Sequence, residues 1–485
     1  MNAARDVVVI GGGVIGCSVA YYCARAGLGV TLIDQPKRGR ATSASAGGLW
    51  PLGESVGLGC GVIFHKALAG RGQLPEGVHG PGQLPKAFLD FALQSNAMFP
   101  RLRDELLQTA GIDIELERTS LLFTMYDDGD VAFAKPLLEH CPCGQNRIDW
   151  LTPDELAKAE PAVTREVRGA LRFNGDDQVN PYRLADAFRA AAQRLGATII
   201  THTAVTGIEM RAGRVVAAQA GADRYPCAMV VNAAGAWAVN VGRMIGIEVP
   251  VRPVRGQILG TETLPKVLSA CLSTSNCYLA QKQHGEIIIG STTEEVGFDV
   301  GTTPEAMRSL AAGAVRAVPS LANVHLKRVW SGLRPGSPDE LPILGPVDEI
   351  AGYFNACGHF RTGIVTSPMT GLMISELAAG QSTSFPLEPF LFSRFAGADP
   401  QSAIVHAHGI GDAALAEMRF TVPEMQCEGC ANKIGQALQA ISGVTGVDAK
   451  VELKQVWVRY ESSKLQEQTL KDALHRAGFS AIETP

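Results

Sequence analysis

Gly11-Gly12-Gly13-Val14-Ile15-Gly16 directly follows the apolar run Val7-Val8-Val9-Ile10, and Asp34 closes a second apolar run, Val30-Thr31-Leu32-Ile33. Residues of these types at this spacing suit dinucleotide binding. Gly11, Gly13 and Gly16 allow a tight strand-to-helix turn and a close backbone approach to a pyrophosphate, and the N-terminus of the following helix favours the phosphate charge. An acid about twenty residues further on can hold a ribose hydroxyl, the role expected of Asp34. Glycines in this pattern are weak evidence alone; here they sit between an apolar β-run and a helical pattern over residues 17–26. A second turn of this kind, Gly358-His359-Phe360-Arg361-Thr362-Gly363, joins a strand pattern at 353–357 to a helical one at 364–377. Near the C-terminus, Met425-Gln426-Cys427-Glu428-Gly429-Cys430 opens a helix after a strand. Two thiolates there suit a soft ion such as Cu(I), or Zn(II) with outside ligands.

The elements that must position these groups follow from the apolar periodicity. Residues 88–109 carry apolar groups at helical spacing, with a kink or break expected at Pro100, and leave the nucleotide domain. A helix is expected over 182–195, and segments 198–208 and 214–220 read as a β-hairpin. Met229-Val230-Val231-Asn232-Ala233-Ala234-Gly235-Ala236-Trp237 reads as a buried strand ending in small residues, where Gly235 lets the backbone approach a cofactor. Strand-like runs follow at 277–280 and 286–290, before the second glycine turn. Two strand-turn-helix crossings so far apart imply that cofactor and substrate layers are interleaved along the chain. Residues 386–415 read as a terminal segment and linker. Beyond them the order strand 419–422, helix 431–441, strands 445–453 and 455–460, helix 466–477, strand 480–483 is the βαββαβ, ferredoxin-like plan.

A chain of 485 residues exceeds one ordinary core, so two or three domains are expected. Its 46% hydrophobic and 19% charged residues fit a globular protein, and a net charge of -5 argues against nucleic acid as a partner. No charged segment precedes a signal-like apolar run and no stretch is long enough for a membrane span, so cytoplasmic synthesis is expected, with peripheral membrane attachment left open. Most of the 11 cysteines are scattered, as reduced core thiols would be; Cys141 and Cys143 flank a proline in an expected loop and read as an incidental exposed pair.

With both glycine turns in view, residues 5–395 resemble the D-amino acid oxidase and glycine oxidase superfamily of FAD enzymes. Trp330-Ser331-Gly332-Leu333-Arg334-Pro335-Gly336-Ser337-Pro338-Asp339 and Gly358-His359-Phe360-Arg361-Thr362-Gly363-Ile364 resemble the paired substrate and flavin motifs of glycine oxidases. Ser45-Ala46-Gly47-Gly48-Leu49-Trp50, Gly53-Glu54-Ser55-Val56-Gly57-Leu58-Gly59-Cys60-Gly61-Val62-Ile63-Phe64, Ala280-Gln281-Lys282 and Ile289-Gly290-Ser291-Thr292-Thr293-Glu294 are similar to the FAD-bearing C subunits of bacterial hydrogen cyanide synthases. The resemblance implies an α/β fold in which a Rossmann-like FAD-binding domain is interleaved with a β-sheet substrate domain. It implies oxidation of glycine in two two-electron steps to HCN and CO2. Electrons would pass through two other subunits, iron-sulfur or flavin containing, to a non-oxygen acceptor, and attachment to the inner face of the membrane fits this role. A stand-alone glycine or D-amino acid oxidase or dehydrogenase, giving keto acid and ammonia, is the alternative. Composition and spacing by themselves say nothing of cyanide.

Residue by residue, the resemblance makes Arg334 the carboxylate-binding arginine, a task suited to a planar guanidinium fork. Arg361 matches a second position near substrate and flavin, with a structural ion pair as the alternative. Tyr278 matches an active-site tyrosine. FAD contacts carried over are Val14, Ile15, Asp34, Gln35, Ala41, Thr42, Ala46, Gly47, Gly48, Val205, His359, Phe360, Arg361, Thr362, Gly363, Ile364 and Val365. His359 and His65 read as structural or flavin-proximal groups rather than bases. Flavin-binding parts are expected at about 1–86, 150–250 and 330–395, substrate parts at about 87–149 and 251–329, and a linker at 396–416. Residues 417–485 resemble a heavy-metal-associated domain of the copper-chaperone type, with Cys427 and Cys430 as metal ligands and a docking module with idle thiols as the alternative.

Overall fold

The computed structural model describes residues 5–63, 65, 82–139, 147–395, 415–425, 428–439, 441, 444–451, 454–461, 467–479 and 482–483. Two compact units divide the chain, 1–409 and 410–485.

In the larger unit Val7, Val8 and Val9 are buried on both faces, so Arg5–Ile10 becomes a central strand. Its sheet runs in the order Ile343–Val347, Ile350–Cys357, Arg214–Ala220, Asp223–Asn232, Arg5–Ile10, Val30–Asp34, Thr198–Thr201, with Val205–Arg211 paired to Arg214–Ala220. Strands 5–10, 30–34, 198–201, 223–232 and 350–357 pair in parallel. Val7 and Val9 point to one face, against helices Val14–Arg25, Pro181–Arg194 and Gly363–Ala378; Val8 and Ile10 point to the other, against Ile208, Val215 and Ala218. Small residues bring two of these helices together: Ser18 Oγ donates to the Ser367 carbonyl at 2.7 Å, and a Cβ on Gly371 would lie 2.3 Å from Ser18 Oγ.

The second sheet runs Leu326–Gly336, Arg252–Thr261, Ile287–Gly290, Tyr278–Gln281, Cys271–Ser273, Ser120–Met125, Gly169–Asn174, Ile148–Leu151. Three expectations change here. Segments within 150–174 and 330–336, assigned by sequence to the flavin-binding parts, supply strands to this second sheet. Leu171 and Phe173 bury against Leu121, Phe123 and Ile258, and strand 326–336 pairs along its length with 252–261. Pro100 does not break the helix Lys86–Ala110, which runs through it. Both halves are clamped, Phe88 and Phe91 by Leu344, Met369, Met373, Phe385 and Phe390, and Phe99, Leu102 and Leu106 by the helices of the first sheet, so both halves pack against elements of the nucleotide side. Packing there outweighs the lost hydrogen bond. Segment 198–208 is two strands: Thr198–Thr201 joins Val30–Asp34 in parallel, and the hairpin is Val205–Arg211 with Arg214–Ala220.

The smaller unit has the expected βαββαβ order. Its antiparallel sheet runs Val444–Lys450, Gln455–Glu461, Leu415–Thr421, Ile482–Glu483, with helices Glu428–Gln439 and Glu467–Arg476. Phe420, Ile434, Leu438, Val456, Val458, Leu470 and Leu474 form a core of its own. Cys141, Cys143, residues 396–414 and Cys427 lie outside the described residues.

Candidate functional site

The first glycine turn sits where strand Arg5–Ile10 hands over to helix Val14–Arg25, with Gly13 as N-cap. Gly11 has φ +108, and a Cβ there would lie 2.5 Å from the Ala233 carbonyl oxygen, so no other residue fits. A Cβ on Gly16 would lie 1.8 Å from the Gly11 carbonyl oxygen. Gly16 therefore packs the turn from behind and does not line the cavity. The helix start also has its Val14 N–H satisfied by Thr42 Oγ1 at 3.1 Å.

A cavity of about 390 Å³ opens over this turn and runs to the second sheet. Gly11, Gly13, Val14, Ile15, Asp34, Gln35, Ala41, Thr42, Ala46, Gly48, Val205 and Gly235 line it, as do His359, Phe360, Arg361, Thr362, Gly363, Ile364, Val365, Tyr278 and Arg334. Gly47 does not: at φ +78 it abuts the Val179 carbonyl and shapes the strand behind. Asp34 does more than the sequence suggested. Its carboxylate accepts the Gly12 N–H at 2.8 Å and the Arg40 guanidinium at 2.5 and 2.6 Å. The acid thus holds the glycine turn in place through an arginine that sequence reasoning missed. Arg40 also lies beside Leu333, whose N–H donates to the Gly39 carbonyl at 2.8 Å, tying the nucleotide loop to the strand that carries Arg334.

At the far end Arg334 projects from strand 326–336. One guanidinium nitrogen donates to Ser291 Oγ at 2.5 Å and another to the Thr292 carbonyl at 3.2 Å; among the described residues no carboxylate pairs with it. The cross-strand neighbourhood makes room for it. A Cβ on Gly256 would lie 2.4 Å from both terminal guanidinium nitrogens, and a Cβ on Gly290 would lie 2.4 Å from the Tyr278 hydroxyl. Neither glycine was singled out by sequence, since a glycine within a strand carries no signal of the side chain it accommodates. Tyr278 packs edge-on to Trp50 at 5.6 Å, and Trp50, Glu54 and Cys60 complete this end.

Arg361 departs from the expectation of a second substrate arginine. It is buried between two carboxylates, with Nε on Glu54 at 3.1 Å, Nη1 on Glu340 at 3.0 Å and Nη2 on Glu340 at 2.7 Å. The structural ion pair, the alternative held for it, is what forms. Burial opposes its charge, yet Glu340 and Glu54 outweigh burial and raise its pKa above the usual guanidinium value. The turn bearing it is pinned to the Arg334 loop by the Phe360 N–H, which donates to the Pro335 carbonyl at 3.0 Å, with Phe360 held at φ 43.

Burial fixes the state of three further groups. Burial pushes the Tyr278 phenol well up, with Cys60 adding to it, and burial followed by Glu54 does the same for the Cys60 thiol, so both stay protonated. His359 is driven down to about 3 by burial and faces Thr370 Oγ1 at 3.0 Å, a neutral ring and not a base. His65 is buried edge-on to Phe133 at 5.3 Å. The second thiol of the C-terminal motif, Cys430, is half-buried at the start of helix Glu428–Gln439; among the described residues no group of three or more His, Cys, Asp or Glu could hold a metal.

Comparison with known proteins adds three findings. A family model for FAD dependent oxidoreductases matches residues 6–377, and one for the heavy-metal-associated domain matches 419–480. Hydrogen cyanide synthase subunit HcnC of Pseudomonas aeruginosa is 48% identical over 84% of this chain and 99% of its own length, and glycine oxidase of Geobacillus kaustophilus is 30% identical over 82% and 99%. A crystal structure of the Geobacillus kaustophilus glycine oxidase superposes with a TM-score of 0.72 at 28% identity, over 81% of this chain and all of that one.

Proposed function

This chain belongs to the FAD-dependent oxidoreductase family, and from that premise we propose that it is the flavin-bearing catalytic subunit of a hydrogen cyanide synthase. It oxidises glycine to HCN and CO2 in two two-electron steps, with two partner subunits carrying the electrons to a non-oxygen acceptor. Similarity to HcnC over 84% of this chain and 99% of that protein supports the synthase assignment. The observation that carries the amino acid half is Arg334, a guanidinium without a carboxylate partner among the described residues, facing the same cavity as the glycine cradle.

The residues present fit FAD. A cradle at Gly11 that any Cβ would fill, the open backbone at Gly235, and the Val14 helix N-terminus match a pyrophosphate and its approach. Gly13, Val14, Gln35 and Thr42 would hold the nucleotide half of FAD, and Ala46, Gly48 and the 359–365 turn would hold its ring system. A flavin held by these residues would supply a hydride acceptor for the substrate Cα. Arg334 fixes the substrate carboxylate, and Ser291 and Thr292 fix Arg334. Tyr278, held protonated, donates to that carboxylate. Trp50 and the buried Arg361 ion pairs exclude water from the substrate end, the property that separates a second oxidation from hydrolysis of the imino acid.

The test is the purified chain with FAD, alone and with its partner subunits, given glycine and an artificial acceptor while cyanide and glyoxylate are measured together. Cyanide is expected; glyoxylate without cyanide, with partners present, returns the chain to the stand-alone glycine oxidase reading that the Geobacillus relative favours. For residues 419–480, the heavy-metal-associated match supports a soft ion such as Cu(I) held by Cys427 and Cys430.

A further inference from the structure

Glycine at neutral pH carries an ammonium as well as a carboxylate, and an amine must give up a proton as its Cα–H leaves. Glu54 lines the same end of the cavity as Arg334, Tyr278 and Cys60, yet it is only 4% exposed. Its position is built: Oε1 accepts the Cys60 N–H at 3.0 Å, Oε2 accepts Arg361 Nε at 3.1 Å, and a Cβ on Gly59 would lie 2.6 Å from the Glu54 carboxyl carbon. The Cys60 thiol also hydrogen-bonds this carboxylate, and a carboxylate offers about four acceptor positions, so among the described residues these three bonds leave capacity unused. The other two nitrogens of Arg361 go to Glu340, so Glu54 meets that guanidinium through one bond alone. Among the described residues, one end of one cavity therefore presents a guanidinium without a carboxylate and a carboxylate with acceptor capacity to spare, the complement of a zwitterionic α-amino acid.

We propose that Glu54 binds the substrate ammonium opposite Arg334 and takes its proton during the first oxidation. This rests on the glycine reading above. The step balances: the glycine zwitterion becomes the iminium of glyoxylate, its carboxylate unchanged, as one Cα–H bond breaks with its electron pair going as hydride to the flavin. A C=N double bond forms from the nitrogen electron pair freed when one N–H proton passes to the Glu54 carboxylate. Arg361 is then a positioning residue, holding the Glu54 carboxylate aimed at the ammonium.

The experiment compares wild type, Glu54→Gln and Glu54→Asp as flavin-loaded enzymes, each checked for FAD content. Two ligands are titrated: glycine by the rate of anaerobic flavin reduction, and acetate, which has the carboxylate alone, by the shift it causes in the flavin spectrum. Glu54→Gln should weaken glycine by roughly 10- to 100-fold, the scale of one lost charge-assisted contact, while acetate affinity stays within about twofold. Glu54→Asp, which keeps the charge, should recover part of the loss for glycine. Equal weakening of both ligands, or unchanged glycine reduction in Glu54→Gln, overturns the assignment and leaves glycine oxidation standing. A wild type that glycine does not reduce overturns both.

Discussion

At the scale of single residues the site is a set of groups whose charge states are decided by burial and neighbours. Arg334 keeps a guanidinium open to the cavity, whereas Arg361, seven residues before the helix-internal Pro368, spends its donors on Glu54 and Glu340. Arg334→Lys should cut kcat/KM for glycine by roughly 100-fold while FAD content is unchanged, because an ammonium cannot reproduce the two-pronged grip; steady-state kinetics with flavin quantitation checks it. His359 predicts a pH effect on stability. Burial lowers its pKa from 6.5 to about 3, so below 6.5 the unfolded chain takes up a proton that the native ring refuses. Stability is thus complete above about pH 6.5 and falls on acidification toward 3, by at most about 1.4 kcal/mol per pH unit from this ring. Urea unfolding at several pH values should show a shallower acid slope for His359→Asn than for wild type. Family motifs in the sequence pointed to Arg334 and Tyr278, which both line the cavity, and not to Glu54, since a glutamate in an apolar string gives no sign that its carboxylate turns into a cavity.

At the scale of elements, glycines decide where backbone and side chains can approach. Gly256→Ala places a Cβ against the Arg334 guanidinium, the mobile end of a side chain, so the fold should persist and the arginine should be displaced. The expected result is FAD binding within about twofold of wild type with glycine reduction weakened roughly tenfold or more, read by flavin titration and stopped-flow reduction. Gly11→Ala differs, because its Cβ meets backbone and φ is +108. That variant should lose FAD and about 1–3 kcal/mol of stability, measured by flavin content and thermal unfolding. The two strand-turn-helix crossings were readable from periodicity and glycine spacing, which are local. The uninterrupted helix through Pro100 was not, because the clamps that hold it, Phe385 and Phe390 on one side and the first-sheet helices on the other, lie far away in sequence.

At the scale of the whole molecule the chain is a flavin unit and a small ferredoxin-like unit, each with its own core. Substituting both Cys427 and Cys430 by Ser should abolish soft-metal retention, measured by metal analysis of the purified chain, and leave glycine oxidation unchanged within about twofold; retained metal would assign the site elsewhere. No helix among the described residues is long and apolar enough to cross a membrane. The sequence by itself determined the dinucleotide turn, the buried parallel strands around it, the βαββαβ order of the C-terminal unit and the family, because these depend on neighbours a few residues apart and on long matching strings. Only the tertiary structure decided which sheet strands 148–151, 169–174 and 326–336 join, that Asp34 is gripped by Arg40, that Arg361 is enclosed while Arg334 stays open, and that Glu54 lines the same cavity as Arg334. The physical reason is that burial, pairing and charge at these positions depend on how the folded chain brings side chains together, whether six residues apart, as Asp34 and Arg40, or 307 apart, as Glu54 and Arg361, which no local pattern encodes.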